Sequence, residues 1–184
     1  MKSYSIDLET LGTNTLDTVL SVGICEFNKE NGNILKTLQI NFSIPENKTI
    51  PCTLATIKFW MEQASHNLDA VMDSFYSKET YSYKEGLIKL SNFIDKKDEH
   101  EIWANGTKFD IGMLENLFTK YSLRVPWKYN SDRCMRTLKM FCGKLEIDSK
   151  DYKFVPHSAL SDAIWQAKYI SKALSLIYVS EENN

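Results

Sequence analysis

The sequence predicts a mixed α/β fold in which a central sheet is flanked by helices. Strand-like alternation fills the first 44 residues, where turn residues divide it into three segments. Most of the remaining chain carries apolar residues at helical spacing, and one short strand interrupts it. Strands followed by helices and a further strand are typical of a sheet that buries helices on its faces. A chain of 184 residues, 43% hydrophobic, is predicted to form a single domain over residues 1–179 with a frayed tail at 180–184.

The N-terminal segments read as an antiparallel meander. Strands are predicted at residues 2–9, 18–27 and 34–44. In the first of these, Tyr4, Ile6 and Leu8 alternate with polar residues, which gives the strand one apolar face. The connections are short and rich in Gly and Asn, and short connections join antiparallel strands.

Helices account for most of the rest of the chain. They are predicted at residues 53–64, 83–94, 111–121, 135–141 and 159–179, and a short strand is predicted at 101–104. The first helix carries Ile57, Trp60, Met61 and Ala64 at the spacing of an inward-facing stripe.

Charge and composition exclude several classes of protein. A net charge of −2 and a pI near 6.0 argue against a globally basic nucleic-acid binder. We expect a cytoplasmic location because the sequence has neither a signal-peptide pattern nor an apolar run of membrane-spanning length. Residues 120–153 carry nine basic and four acidic side chains, which is either a solvated face or a phosphate-steering patch.

Two acids lie on one face of the first predicted strand. Asp7 and Glu9 are two residues apart, so their side chains point the same way, away from the apolar face of Ile6 and Leu8. Two like charges side by side are unfavourable unless cations compensate them, and carboxylates are the ligands that Mg²⁺ prefers. Plain solvent exposure is the alternative explanation for this pair.

Three further residues are candidates for the same site as Asp7 and Glu9. Asp110 and Asp162 each open a predicted helix, where the helix dipole alone would favour an acid. His157 follows Pro156 in the loop before the last helix, and a histidine there can accept a proton from water near neutral pH. An exposed loop histidine with no role is the alternative.

Taken together, the five residues resemble a known family. The pattern Asp7-x-Glu9, Asp110, His157-x4-Asp162 is similar to that of the DEDDh class of 3′→5′ exonucleases, and the resemblance spans nearly the whole chain. Finer similarities point to the phage exodeoxyribonuclease A branch and its bacterial exoribonuclease relatives. They lie in the segments 7–12, 57–63 and 134–138.

The resemblance implies an RNase H-like fold and a two-metal mechanism. Asp7, Glu9, Asp110 and Asp162 are then expected to hold two Mg²⁺ or Mn²⁺ ions, while His157 takes a proton from the attacking water. The resemblance also implies a set of substrate contacts around the terminal nucleotide, namely Thr10, Leu11, Gly12, Trp60, Gln63 and Phe109. The partner is expected to be the 3′ end of a single strand, with DNA favoured over RNA, and a homodimer is compatible with the family.

Some features depart from the family or have simpler explanations. Ser158 stands where the family often has Asp or Asn after the histidine. Core or loop packing would account for Trp60, Phe109 and Leu11, and an exposed helix surface for Gln63. Two other functions compete with the exonuclease: a non-catalytic nucleic-acid-binding module, and an unrelated metal-binding protein. The intact set of five residues argues against both.

Overall fold

A computed structural model of the protein describes residues 1–45, 48–95, 99–147 and 154–182. Within these residues, five strands form one sheet: β1 (Lys2–Thr10), β2 (Val19–Phe27), β3 (Ile34–Asn41), β4 (His100–Ala104) and β5 (Asp132–Cys134). The strand order is β3-β2-β1-β4-β5. The sheet is mixed, because β1 to β3 pair antiparallel whereas β4 is parallel to both β1 and β5. The predicted antiparallel meander is therefore confirmed.

Six helices in the described part of the chain surround this sheet. They are α1 (Leu54–His66), α2 (Leu68–Phe75), α3 (Tyr83–Phe93), α4 (Asp110–Lys120), α5 (Met135–Cys142) and α6 (Ala159–Glu182). Two of their start signals are readable in the sequence: the Thr53 hydroxyl caps α1, and Ser82 forms a capping box with Glu85 at α3. No helix in the described part of the chain is long and apolar enough to cross a membrane.

Both faces of the sheet are buried, which corrects an expectation. The apolar face of β1, with Tyr4 and Ile6, is buried as predicted. It packs on α3 and α4. The face that carries Asp7 and Glu9 was expected to point away from the core, but a second core lies there under α5 and α6. Small polar residues on that face, such as the fully buried Ser5, leave room for a helix, which alternation alone does not reveal.

The first helix shows a second difference. Only Trp60 and Gln63 of α1 are buried, whereas Met61 is 70% exposed and Ile57 is also exposed. The predicted stripe is wrong because α1 touches the body along a narrow edge, where Trp60 packs on Leu11 and Leu20.

Other elements differ from their predicted bounds. Helix α2 and strand β5 were not predicted, since they have 8 and 3 residues and carry too little periodicity. Strand β3 ends at Asn41, three residues before its predicted end. Helix α6 continues to Glu182, so of the expected tail at 180–184 the first three residues are helical, and residues 183–184 lie outside the described residues.

Candidate active site

The sheet places the first two acids at the carboxyl end of β1. Asp7 lies opposite Gly23 of β2, and Glu9 lies opposite Ser21. A side chain at Gly23 is not tolerated, because a Cβ there would come within 2.1 Å of the backbone of Ala159. The missing Cβ allows the start of α6 to rest directly on β2, and this brings Asp162 to the same edge as the two strand acids.

Asp110 reaches this edge from the other side. Ala104, the last residue of β4, pairs with Ile6, so the chain leaves the sheet beside Asp7. It turns at Gly106, whose N–H donates to Asp110 Oδ2 at 3.3 Å, and enters α4. Burial raises the pKa of Asp110 to about 7, although hydrogen bonds from backbone N–H groups and the charge of Arg136 oppose the rise.

His157 and Asp162 form a unit at the start of α6. The backbone N–H of His157 donates to Asp162 Oδ2 at 2.7 Å, and His157 itself has a left-handed backbone with φ of +62°. Potential ligand atoms of Glu9, His157 and Asp162 all lie within 4.8 Å of one another. The structure thus brings the loop histidine and the helix acid to the end of β1.

The four carboxylates repel one another. Burial is the main cause that raises the pKa of Asp7, and the charges of Asp110, Glu9 and Asp162 raise it further. The pKa of Glu9 is raised by burial and then by Asp162 and Asp110, and burial raises the pKa of Asp162 to about 6. Such a cluster is stabilised by positive charge, so its oxygen ligands and single imidazole fit divalent cations of the Mg²⁺ or Mn²⁺ type.

The imidazole of His157 is in a state suited to accept a proton. Its pKa is lowered by partial burial and by the nearby His66, so the ring is neutral at neutral pH. Phe59 meets the ring edge-on, with 4.9 Å between ring centroids. The ring therefore lies between an aromatic side chain and the acids.

Two basic side chains of the segment 120–153 lie at this site. Lys139 lines a cleft of about 420 Å³ together with Asp7, Glu9, His157 and Asp162. Its Nζ lies 3.4 Å from Asn105 Oδ1, and Arg136 lies against Gly106 on the Asp110 side. Residues 148–153 of the same segment lie outside the described residues.

Sequence reasoning missed a polar residue that holds one of the acids. Gln166 is 3% exposed, and its Nε2 donates to Asp7 Oδ1 at 2.6 Å. The signal was present, because Gln166 follows Asp162 by four residues and must share its face of α6. Partners of this kind fix the orientation of a metal-binding carboxylate.

The turn after β1 contains three of the predicted substrate contacts. Thr10 Oγ1 donates to the Gly12 carbonyl at 2.7 Å, which tightens the turn. Leu11 is 9% exposed and packs on Leu20 and Trp60. Asp17 fills the space beside Gly12, where a Cβ would lie 2.1 Å from its Oδ2.

The three remaining predicted substrate contacts are Trp60, Gln63 and Phe109. Trp60 is 5% exposed, and its Nε1 donates to the Thr10 carbonyl at 2.9 Å, which supports the turn. Trp60 also lines the cleft that contains Phe109. Gln63 is also buried and accepts from Asn67. Phe109 is half-buried and lines a second cleft, of about 360 Å³, together with Phe59 and Glu9. The acidic and aromatic clefts therefore meet at Glu9.

Comparison with known proteins agrees with this geometry. Residues 2–174 match the family model described as the 3′-5′ exoribonuclease Rv2179c-like domain. The chain belongs to this family. The prediction of a DEDDh-type 3′→5′ exonuclease is confirmed at the level of the family. Comparison of the sequence with curated proteins gives no match.

Solved structures of exonucleases share the fold of this chain. The nuclease domain of 3′hExo, a DEDDh family member bound to rAMP, superposes with a TM-score of 0.61 at 13% identity, covering 95% of this chain and 92% of that one. E. coli exonuclease I with a 5cy-dT13 oligonucleotide gives 0.67 at 10% identity, covering 95% of this chain and 40% of that one. The chain spans less than half the length of the exonuclease I structures. The expected RNase H-like α/β fold is confirmed.

Proposed function

We propose that the protein is a divalent-metal-dependent 3′→5′ exonuclease that releases nucleoside 5′-monophosphates from single-stranded nucleic acid. The observation that carries this proposal is the meeting of the acidic and aromatic clefts at Glu9. A terminal base held between aromatic side chains would place its phosphate over the carboxylates, as an enzyme that cuts from a strand end requires. Stacking of a base on an aromatic ring contributes about 1–3 kcal/mol and tolerates any sequence.

Each residue of the acidic cleft has a distinct task in this proposal. Asp7, Glu9, Asp110 and Asp162 hold the cations. Divalent cations bound there supply the charge that acidifies an attacking water and stabilises the leaving oxygen. His157 accepts the proton of that water, whose oxygen forms a bond to phosphorus as the bond from phosphorus to the 3′-oxygen breaks. The leaving 3′-oxygen then takes up a proton from solvent.

Residues around the acids would position the substrate. Lys139 lines the acidic cleft and Arg136 lies near Asp110, so either positive charge would balance that of a phosphate bound there. Phe59 and Phe109 provide the aromatic surface for a base. Trp60 lines the same cleft, and Gln63 is buried on the same helix, α1.

RNA is the substrate that we favour. The sequence alone favoured DNA, but the matching family model is described as an exoribonuclease. DNA is the second candidate, because exonuclease I structures with dT13 oligonucleotides share the fold. A homodimer remains a prediction, which light scattering of the purified protein tests.

One assay tests the activity and the sugar preference together. Single-stranded RNA and DNA of matched sequence, each labelled at the 5′ or the 3′ end, are incubated with Mn²⁺ or with a chelator. We expect a strand labelled at its 3′ end to release the label at once as mononucleotide, and a strand labelled at its 5′ end to shorten one nucleotide at a time. The RNA should be degraded faster than the DNA. Faster degradation of DNA would replace RNA by the second candidate. Failure to release nucleotide from either strand would overturn the proposal.

A further inference from the structure

The loop that carries His157 is tied to helix α2 on both sides of the histidine. The residue before it, Pro156, accepts a hydrogen bond at its carbonyl from Asn67 Nδ2 at 2.7 Å. The residue after it, Ser158, donates its hydroxyl to Asp73 Oδ2 at 2.6 Å. Asn67 directly precedes α2 and Asp73 lies within it, so one short helix contacts both neighbours of His157.

The backbone of His157 explains why such contacts are needed. A φ of +62° is disfavoured for any residue with a Cβ, and a backbone of this kind persists only where its surroundings hold it. The hydrogen bond from its N–H to Asp162 fixes one side of the peptide unit. Asn67 fixes the carbonyl of Pro156, the residue before the histidine. Asp73 fixes the side chain of Ser158, the residue after it.

Helix α2 is itself anchored, so it can transmit this restraint. Asp73 Oδ1 accepts from Gln39 Nε2 of β3 at 2.7 Å, which connects the carboxylate to the sheet. The backbone N–H of Asn67 donates to the Gln63 carbonyl at 2.7 Å, which fixes Asn67 at the end of α1. Both anchors belong to elements with regular backbone hydrogen bonds.

The departure from the family pattern at Ser158 fits the same arrangement. At this position the chain has a hydroxyl that reaches a carboxylate on another helix. The carboxylate of Asp73 also lies close enough to the site for its charge to raise the pKa of Glu9.

We propose that Asn67 and Asp73 are positioning residues that hold the His157 imidazole over the acidic cleft. This inference rests on the proposed function, because it assumes that His157 accepts the proton. Neither residue touches the substrate in this proposal. Their effect on hydrolysis passes through the histidine, so it should disappear when the histidine is absent.

A double-mutant cycle tests this dependence. The variants are Asp73→Ala, His157→Ala and the double variant, each assayed for kcat and KM with a single-stranded oligonucleotide and Mn²⁺. We expect Asp73→Ala to lower kcat about tenfold while KM changes less than about twofold, since a misplaced base slows the chemical step and leaves binding intact. In the His157→Ala background the same change should alter kcat less than about twofold.

Two further variants protect the test against a folding defect. Ser158→Ala removes the hydrogen bond from the loop side and leaves Asp73 in place, so it should reproduce the loss in kcat and the same non-additivity. Asp69→Ala removes an exposed acid from the same helix and should leave kcat unchanged. If Asp73→Ala does not fold, the cycle with Ser158→Ala decides.

The outcomes separate this inference from the proposed function. Equal losses of kcat with and without His157 would overturn the positioning role, because a general structural defect acts in both backgrounds. An inactive native protein, or a fully active His157→Ala variant, would instead overturn the proposed function. A loss confined to the protein that retains His157 supports both.

Discussion

The two halves of the acidic cleft are built differently. Asp7 and Glu9 project from a strand in the middle of the sheet, and Asp110 from the first residue of α4, so regular backbone hydrogen bonds place all three. His157 lies in a loop with a left-handed backbone and is placed by hydrogen bonds from side chains. We call these the strand side and the loop side.

The difference corresponds to what each half has to do. In the proposed mechanism, carboxylates that hold cations need a fixed separation, which the strand end and the helix start supply, and Gln166 adds one hydrogen bond that orients Asp7. In the proposed mechanism a base meets one water molecule from one direction, and we propose that Asn67, Asp73 and Asp162 set that direction. Apart from the contact of Gln166 with Asp7, the strand side should therefore be less sensitive than the loop side to changes elsewhere in the chain.

Removing a strand-side acid should have the largest effect. Asp7→Asn is expected to lower kcat by about a thousandfold or more, because cation binding fails and the charge that drives the reaction is lost. In chelator its melting temperature should equal or exceed that of the native protein, since one repelling charge is gone. Release of mononucleotide and circular dichroism melts measure the two effects.

Asp162→Ala is the substitution to compare with Asp7→Asn, because Asp162 lies next to the loop of His157. It should abolish hydrolysis equally, but it also removes the acceptor of the His157 N–H, so its melting temperature should lie below that of Asp7→Asn. If metal-dependent hydrolysis survived either substitution, the assignment of the four acids as cation ligands would be wrong.

Removing the base should cost less than removing an acid. His157→Ala is expected to lower kcat by about a hundredfold to a thousandfold, which is the usual contribution of general base catalysis. Its affinity for Mn²⁺, measured by calorimetry, should stay close to that of the native protein because the carboxylates are unchanged. Unchanged kcat at neutral pH would exclude the base role and remove the functional contrast between the two sides.

A smaller effect is expected from the residue that bridges the sides. Gln166 on α6 donates to Asp7 on β1, and loss of such a partner typically weakens metal binding about 10–100-fold. Gln166→Ala should therefore require more Mn²⁺ for half-maximal activity, with kcat at saturating Mn²⁺ nearly restored. Ser175→Ala, an exposed position on the same helix, is the control. An unaltered Mn²⁺ requirement would show that the strand orients Asp7 without help.

The same division explains what the sequence could predict. Strand alternation placed Asp7 and Glu9 together, and helix starts placed Asp110 and Asp162, because these are local consequences of backbone period. Gln166 was within reach through its helical spacing from Asp162. The contacts of Asn67 and Asp73 were out of reach, since they join residues 89 and 85 positions apart through packing that has no local pattern.

The smallest expected effect concerns the stability of the metal-free protein. The pKa values of Asp110 and Asp162 are about 7 and about 6, above the ordinary value of 3.8, so the folded chain binds protons that the unfolded chain has released. Stability in chelator should therefore fall as pH rises from about 4 towards 7, by about 4 °C or more in melting temperature. His157, with its lowered pKa, opposes this trend weakly, because it destabilises the folded chain only at acidic pH.

Saturating Mn²⁺ should reduce this loss of stability with rising pH, because cations replace protons as the partners of the carboxylates. Asp7→Asn should reduce the loss in part even without metal, whereas Asp73→Ala on the loop side should change its slope less, because Asp73 contributes least among the charges that raise the pKa of Glu9. A melting temperature that rises with pH in chelator would mean that burial and mutual repulsion do not raise the pKa values of these acids. The strand side would then need a compensating charge from the protein itself, and Arg136 and Lys139 are the groups near enough to provide it.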